Sequence, residues 1–94
     1  NTICVISKTI ISNNSKNICS ADKELHKIIG NASKTYIGCI SSLSMNTSKK
    51  ILINISKWNS IKMWENWKNS SDRCYLKMDY NNNYKEEFKI FKYE

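Results

Sequence analysis

The sequence predicts an all-β domain: a small, immunoglobulin-like antiparallel β-sandwich stapled by disulfides and spanning residues 1–94 as one unit. Three observations predict it. Arg73–Tyr80 and Glu86–Tyr93 each alternate two sets of side chains, and Asn81-Asn82-Asn83 between them reads as a turn, because Asn tolerates left-handed backbone. Cys19 and Cys74 are spaced like the pair that pins the second strand of such a sandwich to the sixth. Five to seven apolar runs recur at broadly regular intervals, with no linker and no repeat.

In chain order, Thr2–Ile11 is β-branched almost throughout and reads as the first strand. Ser12–Asn17 is a polar break, and Ile18–Ala21 a short second run. Lys34–Leu43 carries Tyr36, Ile37, Cys39 and Ile40 and reads as the third strand. Ile51–Ser56 sets Ile51, Ile53 and Ile55 against Leu52, Asn54 and Ser56, a period of two. The hairpin of 73–80 and 86–93 closes the chain. Two segments also suit helix. Ser20 is an N-cap for Ala21–Ile29, with Asp22 and Glu24 in the first turn. Ile55, Trp58, Ile61, Trp64 and Trp67 fall every three or four residues, as on one helical stripe. The alternative fold is therefore a small disulfide-bonded helical domain, cytokine-like.

Composition narrows the function classes. Asn, Ile, Lys and Ser dominate, a bias of A+T-rich coding that weakens inferences from single residue types. The net charge is +7, yet only Arg73 among the 15 basic residues is arginine, and no dense basic cluster or known module occurs. Nucleic acid is therefore not the expected partner. The spread lysines suit solubility, or steering toward an acidic protein, a secreted ligand or receptor, or a sulfated polysaccharide. No apolar stretch is long enough for a membrane span. With 2 Gly and 1 His, neither a phosphate-cradling loop nor a two-histidine metal site can be built. His26 reads as a surface residue, and no nucleophile or carboxylate pair stands out. The expectation is a non-enzyme with no cofactor and no metal.

The 4 cysteines, Cys4, Cys19, Cys39 and Cys74, are irregularly spaced and form no C-x-x-C motif. An even number in so short a chain favours disulfides. Three connectivities are open. Cys19–Cys74 across the core leaves Cys4 and Cys39, which either bridge internally or link two chains into a homodimer. Acceptor motifs N-x-[ST] occur at Asn13, Asn31, Asn46, Asn54 and Asn69. Cysteines and sequons together point to a secreted, extracellular glycoprotein. Residues 1–12 lack a basic n-region and long apolar core, as expected of a processed mature form. Trp58, Trp64 and Trp67 are candidate binding anchors, or they close the end of a small core.

The early Cys4, then Cys19, the Ile51–Ile55 strand, Cys74-Tyr75-Leu76 and a closing hairpin resemble the layout of secreted interleukin-18-binding proteins, the immunoglobulin-like cytokine decoys of mammals and poxviruses. The likeness is architectural across most of the chain. Tyr36-Ile37 stands where that family has Tyr-Trp. The resemblance implies a decoy that sequesters a host cytokine such as interleukin-18 and so serves immune evasion, with Tyr36 as an anchor on one sheet face beside Ile37. The alternatives are a small helical ligand that engages a receptor, or a disulfide-rich effector.

Overall fold

The computed structural model describes residues 1–93 and shows an α+β domain, not an all-β sandwich. The elements run β1 (Ile3–Ile11), α1 (Ser20–Lys34), β2 (Cys39–Asn46), β3 (Ile51–Trp58), α2 (Ile61–Lys68), α3 (Ser71–Lys77) and β4 (Tyr84–Lys92). The strands form one antiparallel sheet in the order β2-β3-β1-β4. β1 and β2 run parallel with β3 between them, and β3 and β4 run parallel with β1 between them. The chain is thus two interlocked βαβ units, a ferredoxin-like arrangement.

Two of the sequence expectations fail for local reasons. Residues 73–80 are not a strand. Ser70 caps a helix there, accepting a hydrogen bond from the Arg73 amide at 3.2 Å, and Asp72 sits in the first turn. The expected inward face of that strand is largely in water: Cys74 and Met78 are exposed. β4 therefore pairs not with 73–80 but with β1, Ile3 opposite Lys92 and Ile11 opposite Tyr84. The tryptophan stripe is split by Asn59 and Ser60. Trp58 ends a strand, while Trp64 and Trp67 ride on α2, whose N-cap Ser60 accepts from the Met63 amide at 3.3 Å.

All four cysteines are free. Cys39 lies opposite Trp58, and Trp58 opposite Ile3, so Cys4 and Cys39 stand two strands apart across β3. At ~4.8 Å per strand their Cα atoms are ~10 Å apart, beyond the reach of a disulfide. Cys19 is the N-cap of α1 and Cys74 an exposed residue of α3. The expected staples are therefore absent, and packing holds the fold.

The helices cover one face of the sheet. β1 sends Val5, Ser7 and Thr9 to that side, β3 sends Asn54 and Ser56, and β4 sends Glu86 and Phe88. Ile3, Val5, Trp58, Trp64 and Trp67 form the main core, and Ile11, Ile18 and Leu52 a second cluster under Tyr84. α1 lies close on the sheet because Gly30 faces it: a Cβ there would stand 2.0 Å from Ser44 Oγ. Gly38 makes the turn into β2 at φ 91°, a left-handed backbone only glycine adopts freely.

Candidate functional site

Between the sheet and the three helices lies a small cavity of about 40 Å³, partly open to solvent. Its floor is polar. Asn54 uses both amide hydrogens on β2, donating to Ser42 Oγ at 2.9 Å and Ser44 Oγ at 3.1 Å. Ser42 and Ser33 share a 2.8 Å hydrogen bond, and Ser33 donates to the Gly30 carbonyl at 2.6 Å. This chain of hydroxyls fixes the Asn54 amide. Its carbonyl oxygen has no protein donor among the described residues. Ser56 accepts from the Trp58 indole N–H at 2.9 Å.

His26 projects from α1 into the same cavity and is 4% exposed. Burial pushes its pKa below the usual imidazole value, against a smaller upward pull from the Ile53 carbonyl. His26 Nε2 lies 2.8 Å from that carbonyl oxygen. A carbonyl only accepts, so Nε2 carries the proton and the neutral ring leaves its lone pair on Nδ1. No side-chain nitrogen or oxygen is buried without a partner among the described residues, so Nδ1, which has no protein partner, keeps an opening to solvent. His26 and Asn54 thus line one small space.

The far wall is charged and aromatic. Glu86 receives Arg73 at 2.6 Å and Lys77 at 2.9 Å. Burial raises the Glu86 pKa, but the two cations outweigh it and hold the carboxyl below its usual value. Arg73 also stacks over Phe88, 5.8 Å from the ring centre. Trp64 meets Phe88 edge-on at 5.3 Å. Tyr80 stays protonated, its pKa raised by burial and the nearby Glu86 charge. Outside the cavity, Asp22 closes the N-terminal end of α1. Its buried carboxylate accepts from the Asn81 amide at 2.9 Å, the Asn81 side chain at 3.0 Å and the Tyr84 hydroxyl at 2.5 Å. Burial alone would raise its pKa, yet these donors together lower it.

The residues singled out by sequence fall in different places. Trp58, Trp64 and Trp67 are buried and serve the core, and Trp64 and Trp67 also wall the cavity, so none is a surface anchor. Tyr36 is half-buried against Trp67, ring centres 5.1 Å apart, while Ile37 is exposed. Asn13, Asn31, Asn46 and Asn69 are exposed, whereas Asn54 is turned inward. His26, read as a surface residue, is buried and lines the cavity. One signal pointed to it: Leu25, His26, Ile29, Gly30 and Ser33 share one helical face, and that face is the covered one. Among the described residues no group of three or more His, Cys, Asp or Glu is placed to hold a metal ion.

No family model matches the chain, and no curated protein matches it. Solved structures do match. SnoaB, a cofactor-independent oxygenase from Streptomyces nogalater, superposes with TM-score 0.76 at 8% identity, covering 100% of this chain and 94% of that one. Rv0793 from Mycobacterium tuberculosis gives 0.74 at 11% identity, covering 100% and 96%. A candidate antibiotic biosynthesis monooxygenase from Deinococcus radiodurans gives 0.75 at 9%, covering 98% and 92%. These likenesses overturn the immunoglobulin-like interleukin-18-binding assignment, and with it the cytokine-decoy and immune-evasion reading. They also remove the ground for expecting a non-enzyme, which was the absence of any site. At such identities the likeness is one of fold: the chain has the α+β fold that these proteins share.

Proposed function

We propose that the protein is a small-molecule enzyme that oxygenates a carbon acid, with His26 as general base. One observation carries the proposal: a neutral, buried imidazole with a bare Nδ1 lines a small cavity together with the hydrogen-bonded Asn54 amide, in a fold shared with a cofactor-independent oxygenase. His26 takes a proton from an acidic C–H. The carbanion passes an electron to dioxygen, and the two radicals combine at carbon. The resulting hydroperoxide loses water, so a CH2 group and O2 give a carbonyl group and H2O. The Asn54 oxygen orients a hydroxyl or N–H of the substrate. Trp64, Trp67 and Phe88 keep bulk water from the anion. Positioned proton transfer of this kind contributes ~10²–10⁴-fold to rate.

The cavity sets the size of the reactant. Its 40 Å³ holds about three waters, whereas sites for drug-sized ligands span roughly 300–1,000 Å³. A reactant of more than a few heavy atoms therefore enters only if α2 and α3, of 8 and 7 residues, move outward. The test is oxygen uptake with pentane-2,4-dione and with indane-1,3-dione, a small and a larger carbon acid, each with an acidic CH2 group. Uptake should occur with ¹⁸O2 label in the product and fall ~100-fold or more in His26→Ala. No uptake with either probe, or uptake that His26→Ala leaves unchanged, would refute the proposal.

A further inference from the structure

The cavity that holds His26 has a neighbour. A second, more open recess of about 300 Å³ lies beside it, and Thr9, Lys77, Tyr80 and Glu86 line both spaces. This shared border holds more hydrogen-bond donors than it uses. Lys77 Nζ donates to Glu86 at 2.9 Å, and an ammonium carries further donors besides that one. The Lys77 side chain is 33% exposed against 11% for Arg73, so Lys77 is the cation on the solvent side. Thr9 is 6% exposed, yet its hydroxyl has no partner among the described residues and keeps some contact with open space. The Tyr80 hydroxyl has no partner among them either, and burial with the Glu86 charge keeps its proton on. Charge is uneven in the same place. Arg73 and Lys77 face Glu86 alone, a surplus of one positive charge. Asp22, the other carboxylate near Tyr80, lines neither space and is already held by Asn81, Asn82 and Tyr84.

We infer that this border is a subsite for a carboxylate carried by the substrate, with Lys77 as its cation and Thr9 and Tyr80 as its hydroxyl donors. The subsite rests on the reading of the cavity as an oxygenation site, and its ligand is a carbon acid with a carboxylate arm. Size argues for a ligand divided between the two spaces. The inner cavity of about 40 Å³ takes only the reacting end, and the recess of about 300 Å³ has room for the remainder of a small acid. Chemistry argues for an anion. Lys77 can turn from Glu86 toward a new carboxylate without stranding the old one, because Arg73 still holds Glu86 at 2.6 Å. A charge-assisted hydrogen bond of this kind is stronger than a neutral one, and more so away from bulk water. The charge count argues for a carboxylate over a phosphate. One surplus positive charge balances a monoanion, whereas a phosphate dianion beside Glu86 would leave a net negative charge in a half-buried place. Lys77, Thr9 and Tyr80 thus set which carbon acids are accepted, a role separate from that of the His26 base.

The test is titration calorimetry on the 94-residue chain with two carbon acids that differ in one group. 4,6-Dioxoheptanoate is a 1,3-diketone with a carboxylate arm, and heptane-2,4-dione has a methyl group in place of the carboxylate. The charged ligand should bind ~10-fold or more tightly than the neutral one. Lys77→Met should bring that ratio below ~2, and Thr9→Val and Tyr80→Phe should each lower it ~3-fold. The last two variants remove only a hydroxyl or exchange it for a methyl group, so they decide the matter even if Lys77→Met unfolds. Acetate should displace 4,6-dioxoheptanoate at a lower concentration than inorganic phosphate does. Equal affinities, or no binding of either ligand at millimolar concentration, would overturn the inference. So would a ratio that survives Lys77→Met in a folded protein, a ratio that neither Thr9→Val nor Tyr80→Phe lowers, or stronger displacement by phosphate. Binding needs no oxygen, which keeps the two proposals apart. A carboxylate preference without oxygen uptake refutes the chemistry and leaves the subsite, whereas uptake with equal affinities refutes the subsite alone.

Discussion

Gly30→Ala would test the α1–sheet contact on which the polar cavity floor depends. The residue lies in the middle of a 15-residue helix, where alanine is ordinarily favoured over glycine by ~1 kcal/mol. Propensity alone therefore predicts a more stable protein. The geometry predicts the reverse. The new Cβ would stand 2.0 Å from Ser44 Oγ, 3.1 Å from Asn54 Nδ2 and 3.3 Å from Ser44 Cβ. Ser44 Oγ can rotate away only by giving up its 3.1 Å hydrogen bond from Asn54. Overpacking of this kind costs ~1–3 kcal/mol, and the lost hydrogen bond ~0.5–1.5 kcal/mol. Against a gain of ~1 kcal/mol, the net is a loss of ~1–3 kcal/mol. For a domain of this size that lowers Tm by ~4–8 °C per kcal/mol. Urea melts followed by tryptophan fluorescence and circular dichroism give the value directly. The pair Gly30→Ala with Ser44→Ala removes the hydroxyl in conflict and should recover more than half of the loss. A single Gly30→Ala variant as stable as the parent, or more so, would refute the close approach of α1 to β2.

The remaining predictions concern charge, thiols and glycans. His26 has a folded pKa below its ordinary 6.5, so the unfolded chain binds its proton first. Its contribution is complete above pH 6.5 and is lost as pH falls through the folded value, which an NMR titration of the ring and melts at stepped pH should show together. Asp22 and Glu86 act the same way lower down, below their ordinary 3.8 and 4.5, so acid destabilisation should be blunted in Asp22→Asn, itself less stable at pH 7. Removing Glu86 by Glu86→Gln leaves Arg73 and Lys77 facing each other, and should cost ~3 kcal/mol or more in a urea melt, in line with breaking a buried ion pair from one side. Iodoacetamide on the native protein should label exposed Cys74 quickly and buried Cys4 only after unfolding, and mass spectrometry without reductant should find no disulfide within the chain. Expressed through a secretory route, the protein should take glycan at exposed Asn13, Asn31, Asn46 or Asn69 and none at Asn54, which site-resolved mass spectrometry checks.

Some of the fold was legible in the sequence. The β-branched run of Thr2–Ile11, the alternation of Ile51–Ser56 and the run near Glu86–Tyr93 all lie on strands, and the helical segment Ala21–Ile29 lies on α1, although its N-cap is Cys19 and not Ser20. What misled was pattern without context. Cys74, Leu76, Met78 and Tyr80 alternate only because a seven-residue helix on the surface has few buried positions to reveal a longer period. Ser70-Ser71-Asp72 held the correction, as a helix N-cap outranked by the neighbouring cysteine. Cysteine count was read as redox chemistry, yet Cys4 behaves as a small apolar core residue and Cys39 as the opening of a strand. Pairing order was out of reach altogether. Nothing local says that β4 joins β1, or that β3 inserts between β1 and β2, since both pairings join residues far apart in the chain.

The site was the least legible part, for a reason that bears on what it does. A core position is recognised in sequence by being apolar, and this cavity is floored by Ser7, Thr9, Ser33, Asn54 and Ser56. Such a layer is a poor way to hold a small domain together. Each buried hydroxyl replaces apolar area worth ~25 cal/mol per Å² and must find a partner or cost ~1–3 kcal/mol. The chain meets that demand fully: no buried side-chain nitrogen or oxygen lacks a partner among the described residues. Satisfying the network removes its cost but leaves little net gain over an apolar floor. What it does achieve is orientation, because Asn54 is tied at both hydrogens and His26 at one nitrogen, each leaving a single acceptor free. A structural core has no use for a free acceptor on His26, whereas the proposed proton abstraction would use it. The isoleucines Ile51, Ile53 and Ile55 meanwhile lie half-buried on the opposite side of the same strand. β3 therefore differs by face, with the polar Asn54 and Ser56 toward the helices and the cavity and the isoleucines away from them.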